Sequence, residues 1–102
     1  MINIRTLRKI ENGGGLTLKN GCPVQYKSGW QVATHGFQTT DIYAAMALIK
    51  AYGGTCGIWF ENGVWYIDKS QRVNTKKEAV EIGIQYRQLS ILRWQGMKLV
   101  YL

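Results

Sequence analysis

The sequence predicts an α+β domain built from a duplicated β-α-β unit. Three pairs of a polar residue and glycine punctuate the chain at intervals of 34 and 33 residues: Ser28-Gly29, Asn62-Gly63 and Gln95-Gly96. Between consecutive pairs the same order recurs, namely an aromatic extended run, a polar break, a helical stretch and a second extended run. Self-similarity at a fixed period indicates an internal repeat. We therefore expect pseudo-repeats over residues 29–62 and 63–95 within a single domain spanning residues 1–102.

The residues before the first repeat predict a short helix and a hairpin. Apolar side chains at positions 2, 4, 7 and 10 follow a helical spacing, and a run of three glycines ends the helix. Residues 16–19 and 24–27 flank an Asn-Gly pair that is typical of tight turns, so we expect a hairpin there. Pro23 has no backbone N–H to contribute, which marks the second strand as an edge.

The first repeat predicts a strand, a helix and a returning strand. Residues 30–34 form the first strand, and Asp41 follows two threonines at a point where a helix begins. A Gly-Gly pair ends that helix. The returning strand covers residues 56–60, and an Asn-Gly pair turns it into a strand over residues 64–68. The predicted buried face of the helix consists of Ile42, Ala45, Met46 and Ile49.

The second repeat carries the clearest helix start. Thr75 and Glu78 have the spacing of a capping box, in which the hydroxyl accepts the Glu78 N–H and the carboxylate reaches back. Strands are expected over residues 89–94 and 98–102, with the Gln-Gly pair turning between them. The predicted buried stripe of the helix consists of Ala79, Ile82, Gly83 and Tyr86.

The element order from residue 29 to residue 94 is therefore β-α-β-β-α-β. Two such units with both helices on one face of an antiparallel sheet, and right-handed crossovers, form the ferredoxin-like arrangement. The N-terminal hairpin and the C-terminal strand would extend that sheet. Two ββα units splayed around a curved sheet would use the same elements, and the sequence leaves the strand order open.

Two long stretches of this sequence carry a resemblance. They read NGGGLTLKNGCPVQYKSGWQVA and GIWFENGVWYIDKSQRVNTKKEAVEIGIQYRQLSILRW. The chain from residue 12 onward resembles small uncharacterised proteins encoded by phages and prophages of Gram-positive bacteria. The shared strings correspond to turns, a cap and strands, and they contain no catalytic signature. The resemblance implies a phage gene product in the cytoplasm of a bacterial host, and it implies no activity.

Composition and charge favour a binding protein. Thirteen Lys and Arg against six Asp and Glu give a net charge of +7, which favours anionic partners such as nucleic acid. Solubility alone is the plainer explanation of the same charge. Two cysteines 34 residues apart and one histidine do not supply a four-ligand zinc site. With no apolar leader and no membrane span, we expect a cytoplasmic protein without a disulfide, metal, cofactor or membrane partner.

The sequence gives only weak support for any catalytic residue. His35 lacks a sequence motif that would supply a nucleophile and an orienting carboxylate, and we expect it in the loop before the first helix. Asp68 and Glu61 stand near the ends of adjacent predicted strands and are the only acids that could converge. The glycine run 13–15 lacks the Gly-Lys-Ser/Thr that a phosphate loop requires. We therefore predict that the protein is not an enzyme.

Aromatic residues in the predicted strands suggest a stacking surface. In Trp59-Phe60 and in the pair formed by Trp65 and its neighbour Tyr66, the two rings must point to opposite faces of the sheet. An open face with Trp65 beside Lys69, Arg93 and Lys98 would suit stacking on unpaired bases. Burial under the N-terminal segment or against a second protomer explains the same rings.

Basic residues around the second helix start give the best candidate site. Lys69, Arg72, Lys76 and Lys77 put four cations within nine residues, beside a helix N-terminus that favours anions. Our first hypothesis is a nucleic-acid-binding domain of low sequence specificity that uses these residues with Trp65, Arg93 and Lys98. The alternative is a protein-interaction module that binds a host or phage protein, with a homodimer formed through a sheet edge. A solvated loop without a partner is the plainest explanation.

Overall fold

The chain folds into three helices and seven strands, which confirms the α+β class. A computed structural model describes residues 2–102. The helices are α1 (Ile4–Ile10), α2 (Ile42–Tyr52) and α3 (Lys76–Gln85). The strands are β1 (Gly15–Lys19), β2 (Cys22–Pro23), β3 (Trp30–Thr39), β4 (Thr55–Glu61), β5 (Val64–Val73), β6 (Ser90–Arg93) and β7 (Lys98–Tyr101).

The strands form one open antiparallel sheet in the order β2-β1-β4-β5-β3-β6-β7. The predicted N-terminal hairpin and C-terminal strand are present, and they supply the two edges of the sheet. Asn20 and Asn62 adopt φ values of +52° and +51°, and the glycine after each is also left-handed. Two successive left-handed residues match the twist of the flanking strands, which explains the tight turns at both Asn-Gly pairs.

Three predicted boundaries were wrong. Strands β3 and β5 have ten residues each, about twice the predicted length, so His35 lies in a strand and not in a loop. The additional residues lack an apolar alternation, and pairing with neighbouring strands outweighs their local pattern. The second hairpin strand was expected over residues 24–27 but contains only Cys22–Pro23, although the Val24 N–H still donates to the Thr17 carbonyl at 2.9 Å.

The chain divides into two compact units that do not coincide with the predicted repeats. Unit 1 comprises the chain up to Val24 and Gly36–Lys69, and unit 2 comprises Gln25–His35 and Ser70–Leu102. Each unit therefore contains part of β3 and part of β5. The predicted repeats 29–62 and 63–95 cut across both units.

Unit 1 holds the larger core. Helices α1 and α2 contribute buried side chains that pack with those of β1, β4 and β5 in one cluster of eleven residues, among them Leu7, Met46 and Trp65. Helix α2 begins where it was predicted, because the Asp41 carboxylate accepts the Tyr43 N–H at 2.9 Å. Three of the four residues predicted for its buried face, Ala45, Met46 and Ile49, are buried.

Unit 2 holds a small core under α3. Val32, Ala79 and Ile91 form its fully buried cluster. Thr75 caps α3 as predicted, since its hydroxyl accepts the Glu78 N–H at 3.2 Å. The Glu78 carboxylate reaches back to Thr75 and accepts its hydroxyl proton at 2.9 Å. The predicted burial of Tyr86 was wrong, because its side chain is exposed at the end of the helix.

Candidate nucleic-acid interface

Most of the net positive charge belongs to unit 2. This unit contains seven Lys and Arg residues and only two glutamates, whereas unit 1 contains six Lys and Arg residues and four carboxylates. Unit 2 therefore has a net charge of +5 of the total +7. A concentration of one sign of charge on one part of a small protein attracts polyanions.

A pair of cations lies side by side at one end of the sheet in unit 2. Arg93 is directly opposite Lys98 across β6 and β7, and it is also paired with Trp30 on β3. Ile91, two residues earlier, packs toward α3, so the alternation of a strand places Arg93 and Lys98 on that face too. Directly opposite residues have Cβ atoms about 5 Å apart, and like charges there are destabilising. A bound anion would relieve this repulsion.

The first turn of α3 lies toward the same end of unit 2. Only residues 86–89 connect α3 to β6, so the helix and the strand run in opposite directions. A Cβ on Gly83 would meet Ile91 and Val32, which places the helix directly over these strands. Lys76 and Lys77 consequently lie toward the Arg93 end of β6. Both side chains are exposed, and neither forms an ion pair with another of residues 2–102.

Arg72 has a structural role that the sequence did not predict. Its Nε donates to the Ser28 carbonyl at 3.0 Å, its Nη1 to Asn74 Oδ1 at 2.9 Å and its Nη2 to Ser28 Oγ at 3.3 Å. The guanidinium carbon lies 5.1 Å from the centroid of the Tyr26 ring. Gly29 has a φ of +87°, and a Cβ there would lie 2.7 Å from Nη2. Arg72 therefore fastens the irregular segment before β3 to the end of β5.

The predicted four-cation loop does not exist as a single cluster. Lys69 lies in β5 of unit 1, opposite Cys56, and Arg72 lies three residues further along the same strand. Side chains three apart in a strand point to opposite faces. Of the four predicted residues, Lys76 and Lys77 are the two that lie with Arg93 and Lys98 at one end of unit 2.

The prediction that Trp65 stacks on a base was wrong. Its side chain is only 1% exposed, and its ring centroid lies 4.6 Å from that of Phe60 in the unit 1 core. Trp65 and Ile67 alternate onto the face that α1 and α2 cover. Sequence alone could not decide which ring of each consecutive aromatic pair faces the helices.

Unit 2 contains a groove that the sequence analysis missed. It has a volume of about 430 Å³ and is lined by residues 25–27 and by residues 94–97 of the β6–β7 turn. The Tyr26 and Trp94 rings meet edge-on with centroids 5.4 Å apart. Trp94 is held in place because its Nε1 donates to Gln31 Oε1 at 3.0 Å. An aromatic residue before a Gln-Gly turn was the available signal, but Tyr26 was placed in a strand.

The three groups with a raised pKa, Tyr52, Cys56 and Asp68, all lie in unit 1. Burial, and then the charge of Asp68, raises the pKa of the Cys56 thiol to about 11, which disfavours the reactive thiolate. Burial also raises the pKa of Asp68. Burial and the charges of Asp68 and Cys56 raise the pKa of Tyr52, whose buried hydroxyl has no hydrogen-bond partner within residues 2–102. Cys22 is exposed, and both cysteines are free.

The two acids considered for catalysis lie apart from each other along β4 and β5. Glu61 pairs with Val64 at the hairpin end, whereas Asp68 pairs with Gly57 four residues further along the strands, so the two acids do not converge. The His35 ring lies against Tyr86, with centroids 5.6 Å apart, and its Nδ1 is 3.1 Å from Thr34 Oγ1. Within residues 2–102, no three His, Cys, Asp or Glu side chains are grouped as metal ligands.

Comparison with known proteins identified no relative of this chain. No protein-family model, curated protein or solved structure matches the chain. None of the helices within residues 2–102 has the length and apolar character needed to cross a membrane.

Proposed function

We propose that the protein is a nucleic-acid-binding domain of low sequence specificity that uses the basic end of unit 2. This basic end consists of Lys76, Lys77, Arg93 and Lys98. The cross-strand pair of Arg93 and Lys98 carries this proposal. Two like charges held directly opposite each other cost stability, and phosphate oxygens placed between them would turn that repulsion into attraction. Lys76 and Lys77 extend the positive surface along the first turn of α3.

A polymer of phosphates fits this surface better than a single small anion. The four cations come from β6, β7 and α3, and no ion pair with a neighbouring carboxylate of unit 2 neutralises them. Contacts to phosphates fix a protein on a strand but carry no direct sequence information, which accounts for the low specificity. The proposal includes no chemical step.

The salt dependence of binding tests this proposal. A variant with Lys76, Lys77, Arg93 and Lys98 changed to Gln should bind a single-stranded oligonucleotide far more weakly than the wild type. Each lost phosphate contact should reduce the slope of log affinity against log salt by about 0.7. The measurement is fluorescence anisotropy of a labelled oligonucleotide over a range of salt concentrations.

A variant with the same charge change in unit 1 is the control. Arg5, Arg8, Lys19 and Lys50 are exposed cations of that unit, and changing all four to Gln removes the same charge. This variant should keep most of the affinity and of the salt slope. Equal losses in the two variants would show that net charge alone drives binding, and no binding by the wild type at about 50 mM salt would refute the proposal.

Self-association through the β7 edge is the second candidate function. Leu99, Tyr101 and Leu102 are 49%, 76% and 44% exposed, and β7 is an outer strand of the sheet with an unpaired side. Such an edge can pair with a strand of a second copy or of a host or phage protein. Lys98 on the same strand opposes this, since edge lysines disfavour pairing. A concentration-dependent mass in sedimentation equilibrium, abolished by Tyr101→Pro at a position whose N–H faces away from β6, would support this alternative.

We further infer a ferredoxin-like arrangement for residues 29–94, descended from a duplicated unit and encoded by a phage. The spatial order β4-β5-β3-β6, with helices in the β3–β4 and β5–β6 connections, supports the arrangement. The setting rests on the sequence resemblance, and it would place the protein in a bacterial cytoplasm. Determining which genes adjoin the coding sequence tests this setting, and neighbours without phage functions would contradict it.

A further inference from the structure

We propose that the groove of unit 2 accepts a single unpaired base, so that the nucleic acid bound by this protein is single-stranded. This inference rests on the proposed function, because the cations that would hold the phosphates are those of the basic end. The groove has a volume of about 430 Å³. Small-molecule sites have volumes of about 300–1,000 Å³, so a base fits within it.

The side chains along the groove match the chemistry of a base. Tyr26 and Met97 offer an aromatic ring and a polarisable thioether to a flat apolar face. Gln25 and Gln95 carry amide groups that both donate and accept, as base edges do. Lys27 adds a positive charge at the same groove.

Two contacts connect the groove to the cation pair. Nη2 of Arg93 donates to Gln95 Oε1 at 3.1 Å, and Gln95 lines the groove. The stem of Lys98 lies against Gly96, where an added Cβ would be 3.9 Å from Cγ. The groove and the cation pair thus lie on two sides of the β6–β7 turn. A phosphate held by Arg93 and Lys98 would place the adjoining nucleotide at the mouth of the groove.

Met97 is held in a conformation that its side chain disfavours. Its φ is +51°, in the left-handed region that glycine tolerates and long side chains avoid. Its side chain is nonetheless 52% exposed, so a large part of its apolar surface is open at the groove. Strain of this kind persists at ligand sites, where the side chain serves binding and not stability.

A duplex does not present bases to such a groove. Its bases are stacked and paired, and extruding one of them costs free energy before any contact forms. An unpaired strand offers each base without that cost. The groove therefore favours single strands over duplexes with the same number of phosphates.

Comparing an oligonucleotide with its abasic counterpart tests the proposal. An oligothymidylate of about eight nucleotides suits a small domain, and an abasic oligomer of equal length keeps every phosphate and lacks the bases. The wild type should bind the oligothymidylate between roughly fivefold and a hundredfold more tightly, as expected for one stacked base. A duplex of the same length should bind about as weakly as the abasic strand.

Met97→Gly should abolish this preference while keeping the fold. Glycine suits the left-handed backbone, so the variant should be at least as stable as the wild type. Asn62→Gly is the control, because it relieves a similar φ of +51° at a turn of unit 1, far from the groove in sequence. It should keep the preference. If Met97→Gly keeps the full preference, the groove does not hold the base.

The possible outcomes separate the two proposals. Salt-sensitive binding that is equal for the oligothymidylate and the abasic strand overturns the groove proposal and leaves the phosphate-binding function standing. Absence of binding to every strand overturns both. A preference for the oligothymidylate that Met97→Gly removes and Asn62→Gly preserves supports the groove.

Discussion

The two units of this chain contrast in core and in surface. Unit 1 has a cluster of eleven buried residues and a net charge of +2, whereas unit 2 has a fully buried cluster of three and a net charge of +5. Seven of the ten exposed large apolar side chains also belong to unit 2. The structure thus concentrates stabilising burial in one unit and exposed charge and apolar surface in the other. Regions that bind ligands are often drawn from the less stable parts of a protein.

Removing the largest side chain of the unit 1 core should have the greatest effect. Trp65→Ala deletes a ring that is 1% exposed, and it should lower the free energy of unfolding by about 3–5 kcal/mol. Trp59→Ala, on the neighbouring strand and half-exposed, should change it by about 0.5 kcal/mol or less. Denaturant unfolding measures both. A small effect of Trp65→Ala would mean that unit 1 is not where the stability lies.

The Arg72 contacts provide the next test, now within unit 2. Arg72→Lys keeps the charge but cannot reproduce three hydrogen bonds and the contact with Tyr26, so it should cost about 1–3 kcal/mol of stability. Arg93→Lys loses one exposed hydrogen bond and should cost about 0.5 kcal/mol or less. Arg72→Lys should keep the salt slope of single-strand binding, whereas Arg93→Lys alters a proposed phosphate contact and serves as a control for stability alone. If Arg72→Lys instead weakens binding without loss of stability, Arg72 is a phosphate contact.

Removing the N-terminal cap of α3 should have a smaller effect on stability. Thr75→Ala removes the acceptor of the Glu78 N–H and should lower stability by about 0.5–2 kcal/mol. Asp41→Ala removes the equivalent cap of α2 in unit 1 and should have an effect of similar size. Thermal unfolding compares the two. A neutral Thr75→Ala variant would show that the start of α3 contributes little to the stability of unit 2.

The smallest predicted effect depends on pH. Burial raises the pKa of Asp68 in the folded protein, so its protonated form favours folding. The stabilising contribution is full at a pH below the ordinary carboxyl pKa, and it is lost as the pH rises through the raised value. Asp68→Asn should therefore increase stability at neutral pH and leave it unchanged in acid. An equal change in the free energy of unfolding at both pH values would contradict this.

The helix starts and the tight turns could be predicted from the sequence because local rules decide them. Thr75 and Asp41 cap helices through contacts within three residues, and the Asn-Gly pairs turn through their own backbone preference. The burial of Trp65 depends on which face of the sheet the helices cover, and no local pattern specifies that. The sequence grouped Arg72 with Lys76 as exposed cations, because the hydrogen bonds from Arg72 to the distant Ser28 leave no local signal.

For a similar reason, the sequence could predict only one part of the candidate site, the cation pair, and not the groove. Arg93 and Lys98 are five residues apart around a predicted turn, so their pairing follows from the hairpin. The groove requires residues 25–27 to meet residues 94–97, and contacts between segments so far apart in sequence arise from the sheet order. Aromatic content predicted a stacking surface in the strands, but the rings that line the groove, Tyr26 and Trp94, lie in the irregular segment and at the β6–β7 turn.

Amide chemical-shift mapping tests the contrast between the units most directly. The isotope-labelled protein is titrated with an oligothymidylate of about eight nucleotides at about 50 mM salt. The largest shift changes should fall in residues 25–30, 74–78 and 93–98, all in unit 2, while β1 and β4 of unit 1 stay unchanged. Shift changes concentrated in unit 1 around the half-exposed Trp59, or no changes anywhere, would contradict the assignment of binding to unit 2.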